Sequence, residues 1–268
     1  MKDVLVGVPT FEGHDRWMEK FLEYHTNHDV MVVENTAGKT DYFHHLLDLK
    51  PSYPNLVEVQ RMEWNPEDLW VSYMLGDCWN RTIDYALEHG YPYWHWTAMD
   101  IYVEDGGGIR EQRKTLDAHQ EIDVIGYPTN IFSLDGPPSV LHDAELHWHE
   151  YDHIFKPSFY TWEEVEKATA ESPDGLFKMW GSIGFTLFRR KVIEKCRFKH
   201  PEYKGWVLGC DLFYLQEIHK QGFDYWCDGN HRAINHTKKD ASVLDAKRRY
   251  TEKWMKQPEY QVMLRRIK

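Results

Sequence analysis

Short apolar runs alternate with segments of helical period through the first half of this chain, and no other feature limits its fold as strongly. Val4-Leu-Val-Gly-Val8, Val30-Met-Val-Val33 and Leu56-Val-Glu-Val59 have the length and composition of buried strands. Between the first two, residues 15–25 set Trp17, Phe21, Leu22 and His25 at helical spacing. Residues 41–49 read as a shorter helix. Residues 75–89 carry Leu75, Trp79, Ile83, Ala86 and Leu87 on one face and stop at Gly90. An aromatic strand over 93–99 delivers Asp100, a helix over 109–119 follows, and Val124-Ile-Gly-Tyr127 is a further strand. This β-α-β-α order predicts a parallel, helix-covered sheet to about residue 130.

Such a sheet binds ligands at the carboxyl ends of its strands. Asp100 falls at one of those ends, with the acidic, glycine-rich run Glu104-Asp-Gly-Gly-Gly108 just beyond it. A carboxylate in that position suits a divalent metal and, through it, a phosphate.

Beyond residue 130 the pattern changes. Proline, histidine and acidic residues crowd the stretch from 130 to 174 and periodicity fades, as in an irregular insertion. Regularity returns with a strand over 181–188, a short helix over 190–195, an amphipathic helix over 211–221 and a strand at Tyr225-Trp-Cys227. No repeat or low-complexity linker interrupts the chain. A single domain is expected over 1–237, with a change of character at about 130, and a basic helical tail over 238–268.

The net charge of −11 argues against a general nucleic-acid binder. Yet residues 238–268 hold ten Lys/Arg against four Asp/Glu, a net of +6, which leaves −17 on the rest. Either the tail is a solvated helix face, with Ala246, Tyr250 and Trp254 packing it down, or it meets an anionic partner. No run of about 18 apolar residues exists, so no membrane span is expected. The N-terminus does not read as a signal peptide. Cys78, Cys196, Cys210 and Cys227 are scattered without a C-x-x-C pair, as suits reduced thiols in a cytoplasmic protein. The N-x-T sequons at Asn80 and Asn235 are then chance matches. Most of the 12 Trp, 16 Tyr and 12 Phe fill the core.

Several segments resemble, in order, the nucleotide-sugar glycosyltransferases of the GT-A fold, above all the large inverting family 2. Val8-Pro9-Thr10-Phe11 is similar to the family's nucleotide loop, and Val33-Glu34-Asn35-Thr36 to its acidic turn after the second strand. Cys78-Trp79-Asn80-Arg81 resembles the segment before the metal strand, and Ala98-Met99-Asp100 the D-x-D motif with its first aspartate replaced. Trp180-Gly181-Ser182, running on to Arg189-Arg190, resembles the small-residue sugar loop. Gly209-Cys210-Asp211-Leu212 resembles G-E-D-x-x-L, with cysteine in place of glutamate, and Ile234-Asn235-His236 a terminal metal histidine.

The resemblance implies an α/β, GT-A, Rossmann-like fold: a mostly parallel central sheet flanked by helices, with an irregular acceptor-side insertion and a C-terminal helix. It implies donor contacts from Pro9, Thr10, Phe11, Glu34, Asn35, Arg81 and Met99. It also implies Mn2+ or Mg2+ on Asp100 and His236, Asp211 as the general base, and sugar or acceptor contacts from Trp180, Gly181 and Ser182. The donor expected is a UDP-sugar, ahead of a GDP-sugar, and inversion rests on the resemblance alone. The acceptor is a glycan or other hydroxyl compound, with DNA open through the tail. For Glu34 the plain alternative is a surface turn, for Arg81 a solvated helix position, and for Asp211 a helix N-cap. A nucleotidyltransferase would need a glycine- and arginine-rich loop where Pro9-Thr-Phe-Glu-Gly-His stands. A zinc enzyme could use His142, His147, His149 and His153. A non-catalytic nucleotide-sugar or glycan-binding protein is the third class.

Overall fold

The computed structural model describes residues 2–38, 40–65, 71–104, 107–130, 138–149, 152–182, 184–199 and 210–236, with the side chains of 71–72, 143–149 and 152–158 excepted. The tail over 238–268, with its expected helix, lies outside these residues, as do the side chains of His147, His149 and His153.

The first half follows the predicted alternation. Strands β1 (Val4–Thr10), β2 (Asp29–Glu34), β3 (Leu56–Arg61) and β4 (Tyr93–Trp96) are linked through helices α1 (Asp15–Tyr24), α2 (Tyr42–Leu49) and α3 (Val71–Glu88). Then come β5 (Ile101–Val103), α4 (Ile109–Ala118) and β6 (Val124–Tyr127). The second half contains β7 (Val140–His149), β8 (Asp152–Phe159), α5 (Trp162–Glu171), β9 (Leu176–Met179), β10 (Gly181–Ser182) and β11 (Phe185–Arg189). It closes with α6 (Arg190–Lys195), α7 (Cys210–Lys220), β12 (Tyr225–Asp228) and β13 (Ala233–Asn235).

Eight strands form the central sheet in the order β3-β2-β1-β4-β11-β6-β12-β9. β1 to β4 run parallel, β11 is antiparallel to both its neighbours, and β12 is parallel to β6. Alternate side chains on each strand enter two apolar layers. Val4, Val6 and Val8 pack with Met18, Phe21 and Leu22 of α1, Leu46 of α2 and Leu116 of α4. Leu5, Met31, Trp94 and Trp96 pack on the other face with Cys78 and Ile83 of α3, Val192 of α6 and Leu215 of α7. Gly7 is what lets α3 lie close to β1. A methyl there would come within 2.6 Å of Thr82 Cβ on α3, and overpacking of that kind costs about 1–3 kcal/mol.

Three sequence expectations are revised. The strand before Asp100 ends at Trp96, and residues 97–100 form a turn. The predicted strand over 181–188 is two strands, because β10 leaves the main sheet to pair with β7. The stretch with faded periodicity holds the β7–β8 hairpin and α5, which opens on a capping box. The Thr161 hydroxyl accepts from Glu164 N–H, and the Glu164 carboxylate accepts from Thr161 N–H.

Candidate active site at the carboxyl edge of the sheet

The parallel strands aim their carboxyl ends at one edge of the molecule. α3 and α7 each lead into a strand parallel to β1, so both begin at that same edge. Thr10, Glu34 and Arg61 stand side by side there in the strand register. The turn after β4 joins them, since the Thr10 hydroxyl lies 3.4 Å from Met99 Sδ and 3.3 Å from the Tyr42 hydroxyl. Asn35 N–H donates to the Thr10 carbonyl at 2.8 Å, and Trp64 Nε1–H to the Asn35 carbonyl at 2.6 Å. Pro9, Thr10, Asn35 and Met99 are buried and make a floor, while Phe11 is half-buried above it and packs on His14.

Asp100 is 6 % exposed. Its carbonyl accepts from His236 N–H at 2.7 Å, and β5 pairs antiparallel with β13 beside it. Two residues from distant parts of the sequence are thereby fixed as neighbours through the backbone. The His236 ring meets Tyr102 edge-on, and its Nε2 lies 3.2 Å from Glu104 Oε1. Carboxylate oxygen and imidazole nitrogen together suit Mn2+. Among the described residues, no group of three or more His, Cys, Asp or Glu is arranged to hold a metal ion. Any metal here would need further ligands from a bound substrate.

Asp211 occupies the first turn of α7 and accepts from Leu212 N–H at 3.0 Å. Burial pushes its carboxyl above the usual aspartate range, against the opposing pull of that backbone bond. A methyl on Gly76 of α3 would sit 3.4 Å from Cys210 Cβ, so the start of α7 lies against the N-terminal part of α3.

Other predicted residues have different partners. Glu34 is 0 % exposed, and both its oxygens are committed, Oε1 to Thr36 N–H at 2.7 Å and Oε2 to Arg61 Nη1 at 3.0 Å. These bonds make Glu34 a strut between strand ends. Arg81 Nη1 donates to the Arg61 carbonyl at 3.0 Å. This bond ties α3 to the edge strand β3.

Ser182 is fully buried. Its hydroxyl bonds the Tyr127 carbonyl and Ser139 Oγ, and its carbonyl accepts from the Tyr225 hydroxyl. Gly181 faces α7, where a methyl would lie 2.5 Å from Leu215 Cδ1. Trp180 stacks on His219, about 12 Å along α7 from Asp211. The small size of Gly181 serves packing against α7. His142 stacks on Tyr160, with Nε2 3.5 Å from Glu164.

One feature escaped the sequence reading. A cavity of about 680 Å3 opens beside the ends of β2 and β3, lined by Thr36, Thr40, Phe43, Arg61, Glu63 and Trp64 among others. Its sequence signal was the pair Glu34 and Arg61, an opposite-charge pair directly across two strands, readable only once the register is known.

The strand order and the single reversed strand between β4 and β6 define the GT-A fold. Solved structures share it. A crystal structure of GalNAc-T7 with UDP, GalNAc and Mn2+ matches with a TM-score of 0.58 at 11 % identity, over 88 % of this chain and 44 % of that one. A crystal structure of Staphylococcus aureus TarS residues 1–349 with UDP-GlcNAc matches with a TM-score of 0.54 at 13 % identity, over 90 % and 61 %. The chain thus spans less than two thirds of either. No protein-family model matches the sequence, and no curated protein sequence matches it. No helix among the described residues is long and apolar enough to cross a membrane.

Proposed function

We propose that this protein is a glycosyltransferase that moves a sugar from a nucleotide-diphosphate sugar, a UDP-sugar first, to an acceptor hydroxyl. The observation that carries this reading is the joining of Asp100 to His236 at the carboxyl edge, the same edge at which α7 presents Asp211. The fold is that of structures holding UDP and UDP-GlcNAc, one of them with Mn2+.

In this reading residues 1–237 form the catalytic domain, its donor half to about 130. Pro9, Thr10, Phe11, Asn35 and Met99 shape the floor under the nucleotide. Asp100 and His236, with Glu104 beside the imidazole, hold Mn2+ or Mg2+ together with the donor diphosphate. A bound divalent ion would neutralise charge on the departing nucleotide. Asp211 accepts the acceptor's hydroxyl proton, and burial makes it a stronger base than a solvated aspartate. Transfer with inversion is assigned by resemblance to family 2.

The test is nucleotide release from a panel of UDP- and GDP-sugars with Mn2+ and a broad acceptor set. Asp100→Ala should abolish release while leaving the fold intact, because the bond to His236 uses the Asp100 backbone carbonyl. If no nucleotide sugar binds, with or without metal, the reading fails. A second reading, a non-catalytic nucleotide-sugar binder, is favoured by Ala98 in place of an acidic residue and by the sparse ligand set. Binding without turnover across the panel would support it.

A further inference from the structure

The face of the sheet that carries α1 and α4 encloses polar groups for which the proposed reaction has no use. His25 caps the end of α1, His28 stands just before β2, and His95 lies within β4. His25 and His95 are both 0 % exposed. Their ring centroids are 6.4 Å apart, and those of His25 and His28 are 6.0 Å apart. Among the described residues, neither ring nitrogen of His25 has a hydrogen-bond partner, nor has Nδ1 of His28. Gln112 of α4 faces His95 and acts on it as a side-chain hydrogen-bond partner, at more than an ordinary bond length. The Gln112 amide donates to the Ile125 and Phe185 carbonyls.

Buried polar atoms are nearly always hydrogen-bonded, and this cluster holds more of them than its side chains satisfy. Two imidazoles in direct hydrogen bond would bring their centroids to about 5 Å, and one intervening water would spread them to about 6–7 Å. The observed spacing matches the second case, and two imidazoles with a carbonyl oxygen give a water the two to four partners it needs. We propose that His25, His28, His95 and Gln112 enclose bound water and form an acid-sensitive latch that holds α1 against β4, the strand that leads to Asp100.

The surroundings favour neutral rings. Lys2 and Arg113 bring positive charge toward His28, and Asp29 is the one carboxylate acting on it. Asp29 is already engaged, accepting from the Tyr91 hydroxyl at 2.9 Å and from Lys2 N–H at 3.0 Å. Phe21 and Tyr24 close over His25, and Phe185 over His95. Burial, then Lys2, lowers the His28 imidazole to about 4, with Asp29 opposing and Arg113 adding. Burial, then neighbouring imidazoles, lowers His25 and His95 well below their ordinary value.

Unfolded histidines titrate near 6.5. The unfolded chain therefore binds more protons than the folded one once the pH drops below that point. The latch is fully stabilising above about pH 6.5 and is lost as pH falls toward the folded values. Three protons taken up on unfolding multiply the unfolding constant by about a thousandfold per pH unit.

Urea unfolding of the full chain from pH 7.5 to 5, with imidazole proton NMR of the folded protein over the same range, tests this. The unfolding constant should rise by several hundredfold or more between pH 6 and 5. Three imidazoles should show no titration while the protein stays folded, and should exchange magnetisation with long-lived water. His25→Leu and His95→Leu should each weaken the pH dependence about tenfold per unit. If either variant fails to fold, the wild-type NMR titration decides alone. All imidazoles titrating near 6.5 in the folded protein, or a rise in the unfolding constant of tenfold or less, would overturn the latch. Dry imidazoles would overturn the water.

Discussion

Asp211 is the proposed base, and its burial bears on how it would act. Desolvation raises its pKa, so its carboxylate binds a proton more readily than a solvated aspartate does. A base must be ionised, so activity should fall with decreasing pH through a limb lying above the ordinary aspartate range. Asp211→Asn should lower kcat by about 100–10,000-fold and remove that limb. The same raised pKa means that the folded state favours the protonated form. Ionised Asp211 therefore costs stability at neutral pH, and the cost fades as pH falls. The Asn variant should consequently be at least as stable as the wild type at pH 7. Asn would serve an ordinary N-cap equally well. The loss of the acid limb in the pH–rate profile is therefore what separates a base from a cap, with urea melts as the check on folding. Glu34 and Ser182 each have intramolecular partners that the sequence did not announce, for a common reason. Each has the polarity of a binding residue, but its partners, Arg61 for one and Tyr127 and Tyr225 for the other, lie on strands whose register the sequence does not display.

At the scale of elements, parallel strands and their crossover helices were readable because both periods are strong where one face is buried. The β7–β8 hairpin was not, since its strands pair in a small separate sheet outside the parallel alternation. α5 had a local signal that was overlooked, Thr161-Trp-Glu-Glu164, in which Ser/Thr followed three residues later by Glu marks a helix start. Thr161→Ala should destabilise the protein by about 1 kcal/mol, with nucleotide release unchanged, measured by thermal melts and the donor panel. The strand over 93–99 was read too long because nothing local says that β5 will leave to pair with β13. That long-range pairing is what fixes His236 beside Asp100, so the most informative neighbourhood in the site depends on topology that the resemblance supplied and periodicity could not.

For the molecule as a whole, the candidate site draws on β1, the turn after β4, β13 and the start of α7, and no single segment contains it. The chain as a whole has a net charge of −11, so an anionic donor gains little from long-range attraction and must rely on local cations. Asp100 and His236 are too few to bind a divalent ion tightly by themselves. A diphosphate without a metal would meet a carboxylate and be repelled. Each ligand should therefore need the other. Mn2+ should bind the isolated protein weakly and bind more tightly with UDP present. By linkage, UDP affinity must rise by the same factor when Mn2+ is added, typically about 5–150-fold for coupled sites. Calorimetric titrations in both orders, with Asp100→Ala as control, measure the factor. Equal UDP affinity with and without Mn2+ would separate the nucleotide site from the Asp100–His236 pair and leave that pair as a purely structural junction between β5 and β13.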